Sequence, residues 1–177
     1  MFTKMLTGQT LVLRAYQKED VPYWQRWDTD QLVQAYMPAS ESAPTSDEEQ
    51  LAYLEVCRDE NNAYYWSIVW KENSSLIGSI ALTDVNHHHG LGELGVVIGE
   101  RESWGKGVAT EAIGLVVACA FSEMGLRKIT AEYEEGNTGI EKALLKNNFQ
   151  KECIKLQSRI KVGAPINTVS YFILRKD

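Results

Sequence analysis

Apolar and polar positions alternate over residues 10–16 (TLVLRAY), the period of a half-buried strand. Over residues 19–32 the spacing becomes helical, with Asp20 and Pro22 suited to a first turn. Ser46 and Glu49 form a capping box, in which each side chain satisfies the other residue's backbone N–H, and it opens a second helix running to about residue 60. Between the two, residues 37–46 (MPASESAPTS) read as an internal loop. Aromatic and β-branched residues make 64–70 a strand, and 75–83 is another. Residues 86–90 are a turn, and 93–98 are apolar enough for a strand buried on both faces. A long apolar helix opens within residues 104–112 and ends near Gly125, a suitable C′ residue. A strand at 128–133 and a helix at 138–147 follow, with Asn148 expected in the left-handed conformation. Residues 149–160 and 168–174 close the chain as an antiparallel pair. The order β-α-α-β-β-β-α-β-α-β-β predicts an α+β fold with a mixed sheet and helices packed on it. No internal repeat and no linker divides residues 1–177, so a single domain is expected.

Composition narrows the class. With 177 residues and 44% apolar side chains the chain can bury one sizeable core, which excludes disordered and collagen-like classes. The longest apolar run, residues 113–121, falls short of the ~20 residues of a membrane span. The start, Met1-Phe2-Thr3-Lys4-Met5, lacks the apolar segment of a signal peptide, so a cytoplasmic protein without a membrane partner is expected. Cys57, Cys119 and Cys153 are odd in number and contain no C-x-x-C pair, which predicts neither disulfides nor a zinc site. Adjacent residues of a strand point to opposite faces, so His87-His88-His89 does not converge on a metal and reads as a turn. The net charge of −6, without a basic cluster, argues against nucleic acid as partner. An acidic surface suits solubility first, and also an amine ligand.

The strongest chemical signal is the strand at 93–98, a loop over 99–104, and Gly105-Lys106-Gly107 entering a helix. A helix N-terminus presents unpaired N–H groups and partial positive charge, which suits an anion. Glycines at 105 and 107 let backbone approach an oxygen-rich ligand. The dinucleotide pattern G-x-G-x-x-G fails at Thr110, and G-x-x-x-x-G-K-[ST] is absent, which sets aside nucleotide hydrolysis.

Here the residues resemble the GNAT superfamily of N-acetyltransferases. Its motif R/Q-x-x-G-x-G/A is matched by Glu102-Ser103-Trp104-Gly105-Lys106-Gly107, with Glu102 in place of Arg or Gln. The phrase Trp104-Gly105-Lys106-Gly107-Val108-Ala109-Thr110-Glu111-Ala112 looks like the RimJ/RimL-like subfamily, and Gly136-Asn137-Thr138 running to Asn148-Phe149 looks like its second segment. The resemblance implies a mixed, mostly antiparallel central sheet flanked by helices, forming one N-acetyltransferase domain over 1–177. It also implies acetyl-coenzyme A as cosubstrate and no metal. Val96, Val97 and Ile98 would pair their backbone with the pantetheine arm like an added strand. Ser103, Trp104, Gly105, Lys106, Gly107 and Val108 would offer N–H groups to the pyrophosphate. Asn137 would bond the pantetheine or the thiol end, and Lys142 a coenzyme phosphate.

Besides Glu102, the sequence departs from the family at three further positions. Leu144 stands where many members carry a Tyr that protonates the leaving thiolate, Ile140 where the subfamily has a Ser, and Asn167 where it ends on an Asp. A base must free the attacking amine of its proton. Glu93 and Glu132 are the candidates, and the apolar surroundings of Glu93 favour it, because burial raises a carboxylate's pKa. Backbone N–H groups near Val97 would serve the developing oxyanion. Asp28 and Asp30 end the first helix, where capping is favoured over binding an amine. Trp24, Trp27, Tyr36, Tyr64, Tyr65 and Trp66 are core candidates. The expected acceptor is a small amine or amino sugar. The alternatives are a protein N-terminus, or a coenzyme A-binding sensor without turnover, and the protein is expected as a monomer or homodimer.

Overall fold

A computed structural model describes residues 4–37 and 46–176. In chain order these form β1 (Leu6–Thr7), β2 (Leu11–Ala15), α1 (Val21–Thr29), α2 (Gln31–Gln34), α3 (Asp47–Asp59), β3 (Tyr64–Trp70), β4 (Leu76–Asn86) and β5 (Leu91–Ile98). Then come α4 (Val108–Ser122), β6 (Lys128–Glu134), α5 (Thr138–Lys146), β7 (Gln150–Lys161) and β8 (Ala164–Leu174). The strands build one sheet in the order β1-β2-β3-β4-β5-β6-β8-β7. Its pairs are antiparallel except β5 with β6. This is the mixed, mostly antiparallel α+β fold expected.

Alternation along β5 explains why helices cover both faces. Leu94 is buried with Ile113, Val116 and Leu144 beneath α4 and α5, and Val96 and Ile98 pack against the same core. Val97, one residue out of phase, packs against Val21, Trp24, Trp27 and Leu54 beneath α1 and α3. The start of α1 is pinned by a buried carboxylate. Asp20 takes two bonds from Arg14 (2.6 and 2.8 Å), one from the Ser67 hydroxyl (2.6 Å) and one from the Gln17 N–H (2.9 Å). A buried charge persists only when its oxygens are satisfied in this way.

Several boundaries differ from the pattern-based expectation. The single helix expected over 19–32 breaks at Asp30, whose backbone is extended and whose carboxylate caps α2 through the N–H groups of Leu32 and Val33. Asp30 is therefore a cap, as favoured from sequence, and Asp28 accepts from Gln50 Nε2 at 2.8 Å. β1 is too short to leave a periodic signal. β4 continues to Asn86 through an irregularity at Asp84 (φ +49°), and β8 starts at Ala164 because Val162 and Gly163 turn the chain with φ of +48° and +75°. Gly125 and Asn148 are left-handed as expected, and the three histidines lie in a turn. Residues 1–3 and most of the expected loop, 38–45, lie outside the described residues.

Candidate active site

The parallel pairing of β5 with β6 stops at Glu93 opposite Thr130. Beyond it the two strands have no ladder between them. Two bonds set the phase of β5: Gly99 N–H to Ile77 O (3.0 Å) and Lys128 N–H to Gly90 O (3.1 Å). In an antiparallel ladder alternate residues bond the neighbour. Val97 therefore directs its backbone to β4, while Val96 and Ile98 direct theirs into the opening. The Ile98 carbonyl accepts from the Trp104 indole at 2.7 Å. Among the described residues, the N–H and C=O of Val96 and the N–H of Ile98 are left open. Of the three expected residues, Val97 therefore differs: its backbone faces β4, and its side chain packs with Val21, Trp24, Trp27 and Leu54.

The opening leads to the loop before α4. Ser103 N–H bonds Glu100 O (2.9 Å) and Trp104 N–H bonds Arg101 O (3.0 Å), so these two expected donors are spent on the turn. The N–H groups of Gly105, Lys106, Gly107, Val108, Ala109 and Thr110 donate to no described residue, and Gly107 is left-handed at the N-cap. A helix start without a capping side chain is an anion site in waiting. Gly105 (φ +73°) and Gly107 (φ +83°) have nothing within 4 Å of where a Cβ would stand. That bare, donor-rich cradle fits a pyrophosphate. Lys106 is exposed and lines a cavity of about 560 Å³ with Gln9, Thr10, Trp70, Lys71 and Glu72, on the flank of this loop.

The carboxylates lie at the apex of the opening, on the face away from α4 and α5. Glu93 lines a smaller cavity of about 230 Å³ with Asp84, Leu91, Gly92, Lys128 and Thr130. Its carboxylate accepts no hydrogen bond from a described residue, and burial, reinforced by the charges of Glu132 and Asp84, raises its pKa. Glu132 lies on the same side. Burial would raise it too, but bonds from Lys155 and Thr168 and the charges of Lys155 and Arg159 hold it below the usual carboxylate range. Lys155 forms a short ion pair with it, and Arg159 stands 3.2 Å away. Environments that push two carboxylates apart also divide their roles. Glu93 is half-buried and takes no hydrogen bond from a described residue, whereas Glu132 is paired with Lys155 and Arg159 of β7.

The second expected segment is only partly free. Asn137 Oδ1 caps α5 by accepting from Ile140 N–H at 3.3 Å, which leaves its amide nitrogen available. Lys142 is exposed on α5. Leu144 is completely buried in the core. Near it the Tyr133 hydroxyl meets that of Tyr171, which donates to Glu141 Oε1 at 2.9 Å. Sequence reasoning missed the pairing of Glu132 with Lys155 and Arg159. It also missed Glu100, which receives the Trp27 indole at 2.9 Å and a short ion pair from Arg26. These partners lie 23 to 74 residues apart, with no local signal.

Residues 10–150 match the acetyltransferase (GNAT) domain family. The chain belongs to that family and is an acyltransferase that uses acetyl-coenzyme A. It is 27% identical over 175 residues to the uncharacterized N-acetyltransferase p20 of Bacillus licheniformis, covering 97% of each chain. Among solved structures, its fold is similar to spermidine N-acetyltransferase from Vibrio cholerae in complex with CoA and spermine (20% identity, TM-score 0.83, 93% of this chain and 95% of that one). It is also similar to Mycobacterium smegmatis RimJ in complex with CoA-disulfide (16% identity, TM-score 0.86, 98% and 90%). Among the described residues no helix is long and apolar enough to cross a membrane, and no group of three or more His, Cys, Asp and Glu could hold a metal ion.

Proposed function

We propose that the chain works as one N-acetyltransferase domain that moves the acetyl group of acetyl-coenzyme A directly to the primary amine of a small molecule, with Glu93 as the base. The observation that carries this reading is the opening past Glu93 and Thr130, which joins unpaired strand backbone to an uncapped helix start. When bound, acetyl-coenzyme A supplies the activated acetyl thioester. Gly105, Lys106, Gly107 and Val108 hold its pyrophosphate by N–H groups, and Val96 aligns the pantetheine arm by strand-like bonds. The Asn137 amide nitrogen and Lys142 add polar contacts along α5. The N–H groups of Val96 and Ile98 flank Val97 and stabilise negative charge on the acetyl oxygen. Glu93 accepts the proton of the attacking amine, directly or through one water.

A small amine is favoured because the small cavity on this face brings the unpaired carboxylate of Glu93 together with Asp84. Kinship with the RimJ/RimL-like group, and with it a protein N-terminus as acceptor, is the second reading. The helix-entry phrase at 104–112 supports it, while Ile140 and Asn167 depart from that pattern. The test is release of coenzyme A thiol over a panel of simple amines, amino sugars and short peptides, beside calorimetric titration with acetyl-coenzyme A. The reading expects binding, and turnover of at least one small amine. Turnover of peptides alone would move the acceptor to a protein N-terminus.

A further inference from the structure

On the acceptor side of the sheet, four cations are committed to carboxylates of β6 and β7. Lys155 and Arg159 go to Glu132, and Lys161 goes to Glu134. Lys128 pairs with Glu152 at 2.6 Å and holds its ammonium over the Phe172 ring. Both partners lie on the far side of β6 from β5, so Lys128 is drawn away from Glu93. Two carboxylates are left out of this pairing. Asp84 is exposed and Glu93 half-buried, and neither forms a hydrogen bond or an ion pair with a described residue. Both line the cavity of about 230 Å³, and the charge of Asp84 acts on Glu93.

Asp84 owes its place to the irregularity in β4. Thr83 pairs with Glu93 and Asn86 with Leu91, so Asp84 and Val85 together oppose the single residue Gly92. That is a β-bulge, a device that re-aims a side chain. Leu82 and Val85, three residues apart, both sit in the core beneath α4 and α5. Strict alternation would send Asp84 into that core. The extra residue instead turns Thr83 and Asp84 together to the acceptor side. Asp84 takes φ +49° to do so, a conformation that Asp adopts more readily than most residues.

We propose that Asp84 is the residue that receives the acceptor as an ammonium ion, binding the cationic amine beside Glu93 and so selecting charged groups over neutral ones. The inference rests on the reading above, in which the acceptor enters from this face and Glu93 is the base. Two carboxylates that share a cavity without a cation repel each other, and one organic cation between them relieves both. The ammonium brings three protons. One passes to Glu93 and on to water, which frees the lone pair that attacks the acetyl carbon. As the C–S bond breaks, a second goes to the departing thiolate of coenzyme A. The third stays on the amide. Asp84 takes no proton in this sequence; it holds the nitrogen in reach of Glu93 by a charge-assisted hydrogen bond.

The test uses the full chain saturated with coenzyme A, so that no turnover is needed. Benzylamine, cationic at neutral pH, or benzyl alcohol, with the same ring and no charge, is titrated in and followed by NMR. The unsubstituted protein should bind the amine at least ~tenfold more tightly than the alcohol. Asp84→Asn keeps the shape, tolerates the positive φ and removes the charge, and it should shrink that preference below ~threefold. Glu123→Gln makes the same change of net charge at the end of α4, on the opposite face, and should keep the preference. No preference in the unsubstituted protein, a preference that survives Asp84→Asn, or an equal loss in Glu123→Gln overturns the proposal. With an accepted amine, Asp84→Asn should act on KM and Glu93→Gln on kcat. A fall in kcat with KM unaltered in Asp84→Asn also overturns it. Thiol release from acetyl-coenzyme A is read separately: its absence with every amine defeats the transferase reading and leaves the binding comparison intact.

Discussion

The Trp27 indole occupies the space where a Cβ on Gly99 would stand, and its Nε1 donates to Glu100 Oε1 at 2.9 Å. Arg26 pairs with the same carboxylate, and Arg101 Nη1 approaches Asp30 Oδ2 at 3.4 Å. α1, on the acceptor face, is therefore fastened to the root of the loop that feeds α4. Gly99→Ala would drive a methyl group into the ring, and overpacking of this kind costs about 1–3 kcal/mol. We expect a lower melting temperature together with several-fold weaker acetyl-coenzyme A binding. A folded variant with unaltered affinity would separate α1 from the loop.

Gly107→Glu places a carboxylate at the positive end of α4, the proposed pyrophosphate site, and asks a side chain to adopt φ +83°. Gly107→Ala carries the backbone strain alone, about 1–2 kcal/mol. The alanine variant should retain measurable acetyl-coenzyme A binding and the glutamate variant should lose it. Equal affinities in calorimetric titration would remove this loop from the site.

Glu111, in the first turn of α4, accepts from Thr10 N–H (2.8 Å), Leu11 N–H (3.1 Å) and the Thr10 hydroxyl (2.6 Å), tying the β1–β2 turn to the helix. Burial pushes its pKa up, but these bonds and one from the Gln9 N–H outweigh it and hold the carboxyl below its ordinary value. A folded-state pKa below the unfolded one favours the ionised form in the folded protein. The stabilisation is thus present above the ordinary carboxylate pKa and is lost as pH falls through the folded value. Glu111→Gln should lower stability by about 1–2 kcal/mol at neutral pH, with the difference vanishing in acid. Urea unfolding of both proteins at neutral and acid pH measures it, and a pH-independent difference would show that charge is not the cause.

Leu144 stands at the family's tyrosine position and is wholly enclosed. A thiol leaves readily as thiolate, its reference pKa being about 8.5, so a dedicated acid is dispensable. Leu144→Tyr should raise kcat by no more than about threefold, under ~1 kcal/mol in barrier, and should lower stability through overpacking. A large gain in kcat, with a new limb near the Tyr pKa, would mean that proton delivery limits the enzyme.

Local signals foretold most of the fold. The capping box of Ser46 and Glu49 is formed, the glycine-rich entry to α4 carries two left-handed residues, and Asn148 turns as expected. Failures arose where a single residue overrides a period: Asp30 breaks a helix by capping the next one, and Asp84 carries β4 past an irregularity. At the site, residue types were readable but commitments were not. Nothing near Glu132 in sequence tells of Lys155 and Arg159, and nothing near Ser103 or Trp104 tells that their N–H groups close a turn.

The division of labour between Glu93 and Glu132 is tested most directly by kcat/KM against pH for an accepted amine, in the unsubstituted protein, Glu93→Gln and Glu132→Gln. Burial and neighbouring negative charge raise the Glu93 pKa, so activity in the unsubstituted protein should fall on the acid side above the usual carboxylate range. Glu93→Gln should lose ~10²–10³ at neutral pH, with part recovered at high pH as free amine becomes abundant. Glu132→Gln should lose less than ~tenfold, because its carboxylate is held by Lys155 and Arg159 rather than presented to the acceptor. A large, base-recoverable loss in Glu132→Gln, with near-normal activity in Glu93→Gln, would contradict the account.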